Sequence, residues 1–370
     1  MLKKLIYRMT HWKTWPWLLK YIPITPVWTW YCLRSRNPWF FTASNPTLMF
    51  GGFMGETKRE MYRQLPKELV PNGVFVSPLV PFDQVKAQLE SHNLVFPLAV
   101  KPDVGMMGFM FRKIGNMAQL RQYHDVMTVN YIIQDFIEQP MEVSVFYYRL
   151  PNRKKGHITG FIKKEYLQVT GDGKSTLLEL IQAYARADYR QEELKARHRN
   201  RLMDILPEGA VYRLSDALNL SRGGKLVSLE DEKDSRLAEV FDGLSHHSGN
   251  LYYGRYDIKC RSIEDLKAGK NFCILEFNGA GAEPHHVYGY NLSLWKACGE
   301  LARHWGYLYR ISRINHLQKG VPYWNYAEGM SFAKKARVHY KKLKALDRSF
   351  CFDEQHSYAT ANVSASLAGI

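Results

Sequence analysis

The sequence predicts an α+β fold, and two of its features carry that prediction. Two runs of strand-like composition, Tyr252–Cys260 and Phe272–Asn278, flank a short charged segment with turn and helix character. Upstream, an apolar run, a glycine turn and a second strand-like run follow one another within residues 97–114. An apolar content of 46% and a charged content of 23% are typical of a globular chain, and 370 residues suffice for a real core.

The chain carries a large excess of positive charge. Its formal net charge of +16 favours an anionic partner such as a nucleotide, anionic lipid, acidic polymer or nucleic acid. No nucleic-acid-binding signature accompanies the charge, so no nucleic acid is expected as a partner. The five cysteines are odd in number and form no C-x-x-C pair. We therefore expect reduced thiols and a cytoplasmic location.

Residues 1–55 form a basic N-terminal segment rich in tryptophan. The first fifty residues hold seven Lys or Arg and no acidic residue. They also hold six of the nine tryptophans: Trp12, Trp15, Trp17, Trp28, Trp30 and Trp39. Prolines break the apolar runs, which are too short to span a bilayer. Indoles and basic side chains favour the bilayer interface, so we expect peripheral binding to the inner face of an anionic membrane. The alternative is a lid packed on the protein's own core.

The loop at residues 38–58 is rich in glycine and small residues. Asn45, Gly51, Gly52 and Gly55 are expected either to shape a substrate pocket or to serve as ordinary turn residues, and we favour the turn interpretation.

An oxygen-rich pattern marks the two strand-like runs near residue 260. Asp257 lies on the first run, and Glu276 and Asn278 lie two residues apart on the second, so the latter two share a face. If the runs pair as antiparallel neighbours, Asp257 joins them. Two carboxylates and an amide oxygen suit Mg²⁺. The alternative is one acid per strand on a solvated sheet face.

Other motifs precede this pattern in a fixed order. Lys58 lies on a mostly helical stretch over Glu56–Leu69, with an early end at Pro66 as the alternative, ahead of a short strand at residues 74–80. A solvated helix lysine is the alternative for Lys58 itself. FPLAVKPDVGMMGF (96–109) is a strand ending in Lys101, followed by a glycine turn with two methionines at its exposed tip. IIQDFIEQPMEVSV (132–145) is a strand followed by a turn and a second strand. GDGKST (171–176) is not a P-loop, because Gln168 stands where that motif requires glycine.

Taken together, these motifs resemble the ATP-grasp superfamily of carboxylate–amine ligases, including D-alanine–D-alanine ligase and the ATP-grasp domain of cyanophycin synthetase. The resemblance implies an ATP-grasp domain over residues 56–290, with the nucleotide between two sheet-containing subdomains. It implies ATP and Mg²⁺ as cofactors, with Mn²⁺ as a substitute. It also implies that Asp257, Glu276 and Asn278 bind the metal.

The same resemblance suggests roles for further residues. Nucleotide contacts would come from Lys58, Lys101, Gly105, Gly108, Asp135, Phe136, Ile137, Glu142 and Lys164. Lys163, on the opposite face of its strand, is the alternative to Lys164. Arg255 would steady a negatively charged intermediate. Arg222, in a stretch similar to the acceptor side of the same ligases, is the second catalytic candidate, and a solvated loop arginine is its alternative.

The remaining residues, 291–370, are predicted to form a helical, basic C-terminal tail. Residues 333–348 carry seven Lys or Arg, which indicates a solvated basic helix or a second contact with anionic lipid or polymer. Two adjacent histidine pairs, at residues 246–247 and 285–286, are not expected to bind zinc, because neighbouring side chains usually point apart.

The resemblance implies an ADP-forming ligase that activates a carboxylate as an acylphosphate for attack by an amine. The substrates are expected to be lipid-linked or attached to an anionic polymer, and their identity cannot be read from the residues. Two alternatives remain. The first is a kinase that stops at phosphoryl transfer, and the second is a non-catalytic protein of the same fold that binds a membrane or polymer.

Overall fold

The computed structural model describes residues 12, 15, 17–184, 191–214 and 224–350, and it confirms the α+β class. Eleven strands lie in this part of the chain: β1 (Gly73–Val76), β2 (Leu98–Pro102), β3 (Arg112–Ile114), β4 (Tyr131–Asp135), β5 (Met141–Tyr148), β6 (His157–Glu165), β7 (Gln168–Thr170), β8 (Val211–Arg213), β9 (Lys225–Ser228), β10 (Tyr253–Cys260) and β11 (Phe272–Asn278). The same part holds twelve α-helices: α1 (Trp17–Tyr21), α2 (Thr25–Ser35), α3 (Lys58–Tyr62), α4 (Phe82–Ser91), α5 (Met117–Val126), α6 (Leu177–Ala183), α7 (Gln191–Arg197), α8 (Ser235–Ser248), α9 (Ile263–Lys267), α10 (His286–Gly289), α11 (Leu294–Lys319) and α12 (Tyr326–Ser349).

The strands form two main antiparallel sheets. The smaller sheet has the order β1-β4-β2-β3, and the larger has the order β11-β10-β5-β6-β9. Strands β7 and β8 form a separate two-stranded ribbon. Residues 136–140 are the whole connection between β4 and β5, so the two main sheets follow one another directly along the chain. The predicted pairing of the two strand-like runs is realised, since β10 and β11 are antiparallel neighbours.

Helix α3 lies between the two sheets and is shorter than the predicted helix over Glu56–Leu69. Its N-terminus is capped by the Thr57 hydroxyl, which accepts the N–H of Glu60 at 3.0 Å. A five-residue helix results, and Pro66 then opens a 3₁₀ turn at Lys67–Leu69. Because α3 buries Met61 and Tyr62 against both sheets, its first residue, Lys58, is brought to the cleft between them.

The N-terminal segment packs on the chain's own core over much of its described length. The Trp12 ring lies 5.6 Å from the Tyr288 ring, and its N–H donates to the Leu292 carbonyl at 3.2 Å. Trp28 meets Trp305 of α11 edge to face at 5.0 Å. These contacts agree with the lid alternative. Trp30 differs, because 56% of it is exposed.

The loop before α3 is hydrogen-bonded to the larger sheet. The buried Asn45 side chain donates to the carbonyls of Gly51 and Tyr253 and accepts the N–H groups of Tyr252 and Tyr253. Gly51, Gly52 and Gly55 all have positive φ angles, which glycine adopts without strain. The turn interpretation of these residues therefore agrees with the structure.

The long C-terminal helix α12 packs on the smaller sheet. Leu343 is fully buried in the core of that sheet, and Asp347 forms an ion pair with the buried Arg112 of β3 at 3.0 Å. The helix is therefore solvated on part of its surface and structural on the rest. Within the described residues, none of the helices combines the length and apolar character needed to cross a bilayer.

Candidate active site

The acidic residues of β10 and β11 meet on one face of the larger sheet. Asp257 pairs in register with Glu276, and Arg255 pairs with Asn278. The Asn278 amide donates to Asp257 Oδ2 at 3.3 Å, so the three predicted metal ligands form one group. A register shift directly after Asp257 marks a bulge, a feature that re-aims side chains within a strand.

Asp257 is buried and surrounded by donors. Arg255 binds it through two nitrogens, Nε to Oδ1 and Nη2 to Oδ2, each at 3.1 Å. Lys164 Nζ lies 3.0 Å from Oδ1, and the Ser144 hydroxyl also donates to this oxygen. Burial alone would raise the pKa of Asp257, but Arg255 and Lys164 outweigh it and hold the pKa well below its ordinary value. The carboxylate is therefore ionised.

Lys164 of β6 bridges two acids. Its Nζ lies 3.2 Å from Glu142 on the neighbouring β5, in addition to its contact with Asp257. Burial lowers the pKa of Lys164, but the two carboxylates outweigh this effect and raise it. Burial also raises the pKa of Glu142, against the opposing influence of Lys164. Lys163 points elsewhere and pairs with Glu165 at 3.5 Å, so Lys164 is the lysine that reaches the acidic group.

Lys58 approaches the acids from the other side of the cleft. Its Nζ lies 3.3 Å from Glu276, and the residue is only 7% exposed, unlike a solvated helix lysine. The cleft here is lined by Glu56, Lys58, Gly105 and Glu276, among others. Burial raises the pKa of Glu56, whose Oε2 atom has no hydrogen-bond partner in the described part of the protein. Sequence reasoning missed Glu56, since a lone acid ahead of a helix carries no signal.

Lys101 joins the two sheets. From β2 of the smaller sheet, its Nζ donates to the Tyr62 hydroxyl at 3.0 Å and to the carbonyl of Leu275, on β11, at 3.2 Å. Burial lowers the pKa of Lys101, and the nearby charge of Glu276 works in the opposite direction. In turn, burial raises the pKa of Glu276, but Lys58 and Lys101 prevail and lower it. Lys58 thus pairs directly with this acid, and the charge of Lys101 adds to its effect from a greater distance.

The glycine turn between β2 and β3 borders the same cleft. A Cβ atom on Gly105 would lie 3.0 Å from Lys58 Nζ, so glycine lets the turn approach that ammonium group closely. Gly108 and Met107 both have positive φ angles, of 69° and 53°. Met107 is 49% exposed, whereas Met106 is half-buried, which corrects the expectation that both methionines are exposed.

The predicted adenine-contacting residues lie at the end of β4 and in the link to β5. All three, Asp135, Phe136 and Ile137, are half-buried. The N–H of Asp135 donates to the Asn72 carbonyl at 2.9 Å, and the Phe136 ring lies 4.3 Å from the Lys113 ammonium. They therefore lie at the junction of the two sheets, and their contact with adenine stays a prediction.

Two further residues bear on the sequence predictions, Arg222 and His285. Arg222 lies outside the described residues. His285, which sequence reasoning noted only as part of a histidine pair, lies beside Arg255 and Asp257. Burial and Arg255 lower the pKa of His285 well below its ordinary value, so its ring is neutral. Its Nδ1 atom is buried without a hydrogen-bond partner among the described residues.

A scan against protein-family models gave no match, and neither did a search of the curated proteins. Among solved structures, the chain is similar to D-alanine–D-alanine ligase from Bacillus anthracis, with 13% identity and a TM-score of 0.39 over 71% of this chain and 68% of that one. It is similar to a bifunctional glutathione synthetase from Pasteurella multocida, with 13% identity and a TM-score of 0.35 over 69% of this chain and 38% of that one. The VanG D-Ala:D-Ser ligase from Enterococcus faecalis matches with 13% identity and a TM-score of 0.39, over 68% and 61% of the two chains. The matched proteins include the D-alanine–D-alanine ligases that the motifs resemble.

Proposed function

We propose that this protein is an ATP-dependent ligase that joins a carboxylate to an amine and forms ADP. The observation that carries the proposal is the convergence of four cationic groups on one acidic cluster at the junction of two sheets. Lys58 and Lys101 approach Glu276 from one side, and Lys164 and Arg255 approach Asp257 from the other. Such a cluster suits a polyphosphate and a developing negative charge.

The donor chemistry of Asp257, Glu276 and Asn278 fits a divalent cation such as Mg²⁺. These side chains offer three oxygen ligands from facing positions of paired strands. Both Asp257 oxygens already accept hydrogen bonds from Arg255, so a bound cation has to compete with the guanidinium. When bound, Mg²⁺ would neutralise phosphate charge and help to align the nucleotide.

The remaining site residues contact different parts of the nucleotide and the reacting groups. Lys58 and Lys101 neutralise phosphate oxygens, and Gly105 and Gly108 let the backbone approach them. The adenine contacts Asp135, Phe136 and Ile137, and the ribose contacts Glu142. Lys164 neutralises the charge of the γ-phosphate during its transfer to the substrate carboxylate. Arg255 stabilises the anion that forms when the amine attacks the acylphosphate. Arg222 remains a candidate on the acceptor side.

The reaction products test the proposal. Protein, ATP and Mg²⁺ are incubated with a heat-treated cell extract that retains its lipids and polymers, and the products are identified by mass spectrometry. A ligase yields ADP, free phosphate and a new amide in equal amounts. A phosphorylated product without free phosphate would instead establish a kinase, and unchanged ATP would leave a binding protein.

We further propose that the substrates are presented at an anionic membrane surface, to which helices α1 and α2 bind. Leu19, Ile22, Trp30 and Leu33 of this region are 48–69% exposed, and Arg34 and Arg36 lie among them. Apolar side chains interspersed with basic ones are the surface that anionic lipid favours.

Vesicle sedimentation tests the membrane proposal. Binding of the wild type should rise with the fraction of anionic lipid and decrease partly with salt, since salt screens only the basic part of the attraction. A double variant, Trp30→Ala with Leu33→Ala, should lose the salt-resistant part. Leu79→Ala is the matched control, because Leu79 is 90% exposed and lies elsewhere. The proposal is wrong if the wild type does not bind anionic vesicles, or if the double variant binds them as well as the wild type does.

A further inference from the structure

A second group of metal-ligand side chains lies outside the candidate active site. Glu300 and His304 are one turn apart on α11 and therefore share a face of that helix, and His286 begins α10. Glu300 Oε1 lies 3.4 Å from His286 Nε2 and 3.5 Å from His304 Nε2. We propose that these three residues bind a zinc ion.

Two of the three separations between ligand atoms match a tetrahedral zinc site, and all three ligand atoms lie within 4.8 Å of one another. Bonds of about 2.0–2.2 Å from zinc to nitrogen and oxygen place tetrahedral ligands roughly 3.3–3.6 Å apart. Both separations from Glu300 Oε1 fall in that range. Two imidazoles and one carboxylate are a ligand set that zinc uses in proteins, whereas Mg²⁺ prefers oxygen ligands. The two metal proposals therefore concern different sites and different ions.

The histidine atoms that would bind the ion are deeply buried. His286 is 3% exposed and His304 is 1% exposed. His304 Nε2 has no hydrogen-bond partner in the described part of the protein, although it points towards Glu300. Its other ring nitrogen, Nδ1, lies 3.3 Å from the Tyr253 hydroxyl. A metal on Nε2 would fix the proton on Nδ1, where the Tyr253 oxygen can accept it, as is usual for zinc-binding histidines.

Neighbouring strands are shaped around the two rings. A Cβ atom on Gly160 of β6 would lie 2.0 Å from His286 Nδ1, so glycine is needed to admit this imidazole. Phe146 of β5 meets the His304 ring edge to face at 4.5 Å. Arg303 pairs with Glu300 Oε2, which leaves Oε1 to face the histidines. A zinc ion here would tie α11 to the segment that follows β11.

Zinc binding to the full-length protein tests the inference. The protein is stripped with a chelator, and Zn²⁺ is then titrated in competition with a chromophoric chelator. One equivalent should bind tightly to the wild type, and Co²⁺ should give the visible absorption of a four-coordinate ion. His304→Gln and Glu300→Gln should each weaken Zn²⁺ binding by more than about 100-fold. His247→Gln, a change at an exposed histidine, should leave it unaltered.

Thermal unfolding gives a readout that does not depend on enzyme activity. Added Zn²⁺ should raise the Tm of the wild type and of His247→Gln but not that of His304→Gln. Circular dichroism establishes that each variant is folded. The inference is wrong if the stripped wild type takes up no Zn²⁺, or if folded His304→Gln binds it as tightly as the wild type. In either case the three side chains form only a buried hydrogen-bond network.

Discussion

The negative charge of Asp257 is stabilised by the cationic side chains around it. A buried carboxylate is costly unless it is paired, and Arg255 and Lys164 provide that pairing at 3.1 and 3.0 Å. The same two cations are the ones that we assign to the transferred phosphate and the reaction intermediate. Under the proposed function, a bound nucleotide would compete with Asp257 for these two cations.

Lys101 is expected to bind nucleotide phosphate. Lys101→Ala should weaken the affinity for a non-hydrolysable ATP analogue by about 1.5–3 kcal/mol, the value of a hydrogen bond to a charged group. This corresponds to roughly 10- to 150-fold in Kd, measured by calorimetric titration. Lys86→Ala is the control, because Lys86 is exposed on α4 and pairs only locally with Asp83. An unchanged Kd in Lys101→Ala would remove this residue from the site.

The charge state of Asp257 predicts how stability depends on pH. Its pKa is lower in the folded protein than its ordinary value of 3.8, so the ionised form stabilises the fold. This contribution is fully present above the ordinary pKa and is lost as the pH decreases below it. The free energy of unfolding of the wild type should therefore decrease steeply below pH 4, as followed by urea unfolding. In Asp257→Asn the decrease should be smaller, and an identical decrease would show that other groups cause it.

Single residues also show where sequence reasoning succeeds. Asp257, Glu276 and Asn278 could be predicted as a group, because Glu276 and Asn278 share a strand face and the resemblance to ATP-grasp ligases adds Asp257 to them. Glu56 and His285 could not, since their burial depends on contacts that only the folded chain makes. The cluster of His286, Glu300 and His304 was missed for a related reason. Its members lie on two different helices, α10 and α11, and the sequence shows only the adjacent pair at 285–286.

At the scale of elements, α12 holds the glycine turn in place. Asp347 accepts the N–H of Met110 at 2.8 Å and pairs with Arg112, while His339 contacts the Val104 carbonyl at 2.7 Å. The C-terminal helix therefore supports both ends of the turn that we assign to phosphate. Its composition predicted a basic helix but not this role, because lysine content describes the solvated face and not the packed one.

Asp347→Asn tests this support. The variant can still accept the Met110 N–H but leaves the buried Arg112 without its counter-charge, so the protein should lose about 3 kcal/mol of stability. Urea unfolding measures this loss. Asp83→Asn is the control, because the Asp83 side chain is 86% exposed and its surface pair contributes little to stability. A change in Asp347→Asn no larger than that of the control would show that α12 does not stabilise the turn.

Over the whole molecule, the α+β class and the boundaries of β10 and β11 agree closely with the sequence predictions, because both strands are short runs of strand-like composition that flank a charged segment. The tryptophan-rich segment shows the limit of composition. Both a bilayer interface and a protein core bury indoles, so composition alone could not separate them. The structure separates them residue by residue: Trp12 is buried, Trp28 is half-buried against the core, and Trp30 is exposed.

We infer that the cleft between the two sheets binds ATP together with a divalent cation held by the β10–β11 acids. Calorimetric titration of a non-hydrolysable ATP analogue, with and without Mg²⁺, tests it without any acceptor substrate. We predict that Mg²⁺ tightens binding to the wild type by at least about tenfold, or 1.4 kcal/mol. Glu276→Gln should abolish this dependence, whereas Glu264→Gln, a change at an exposed acid of α9, should preserve it. The inference is wrong if the wild type does not bind the analogue. It is also wrong if binding to the Glu276→Gln variant depends on Mg²⁺ as much as binding to the wild type does.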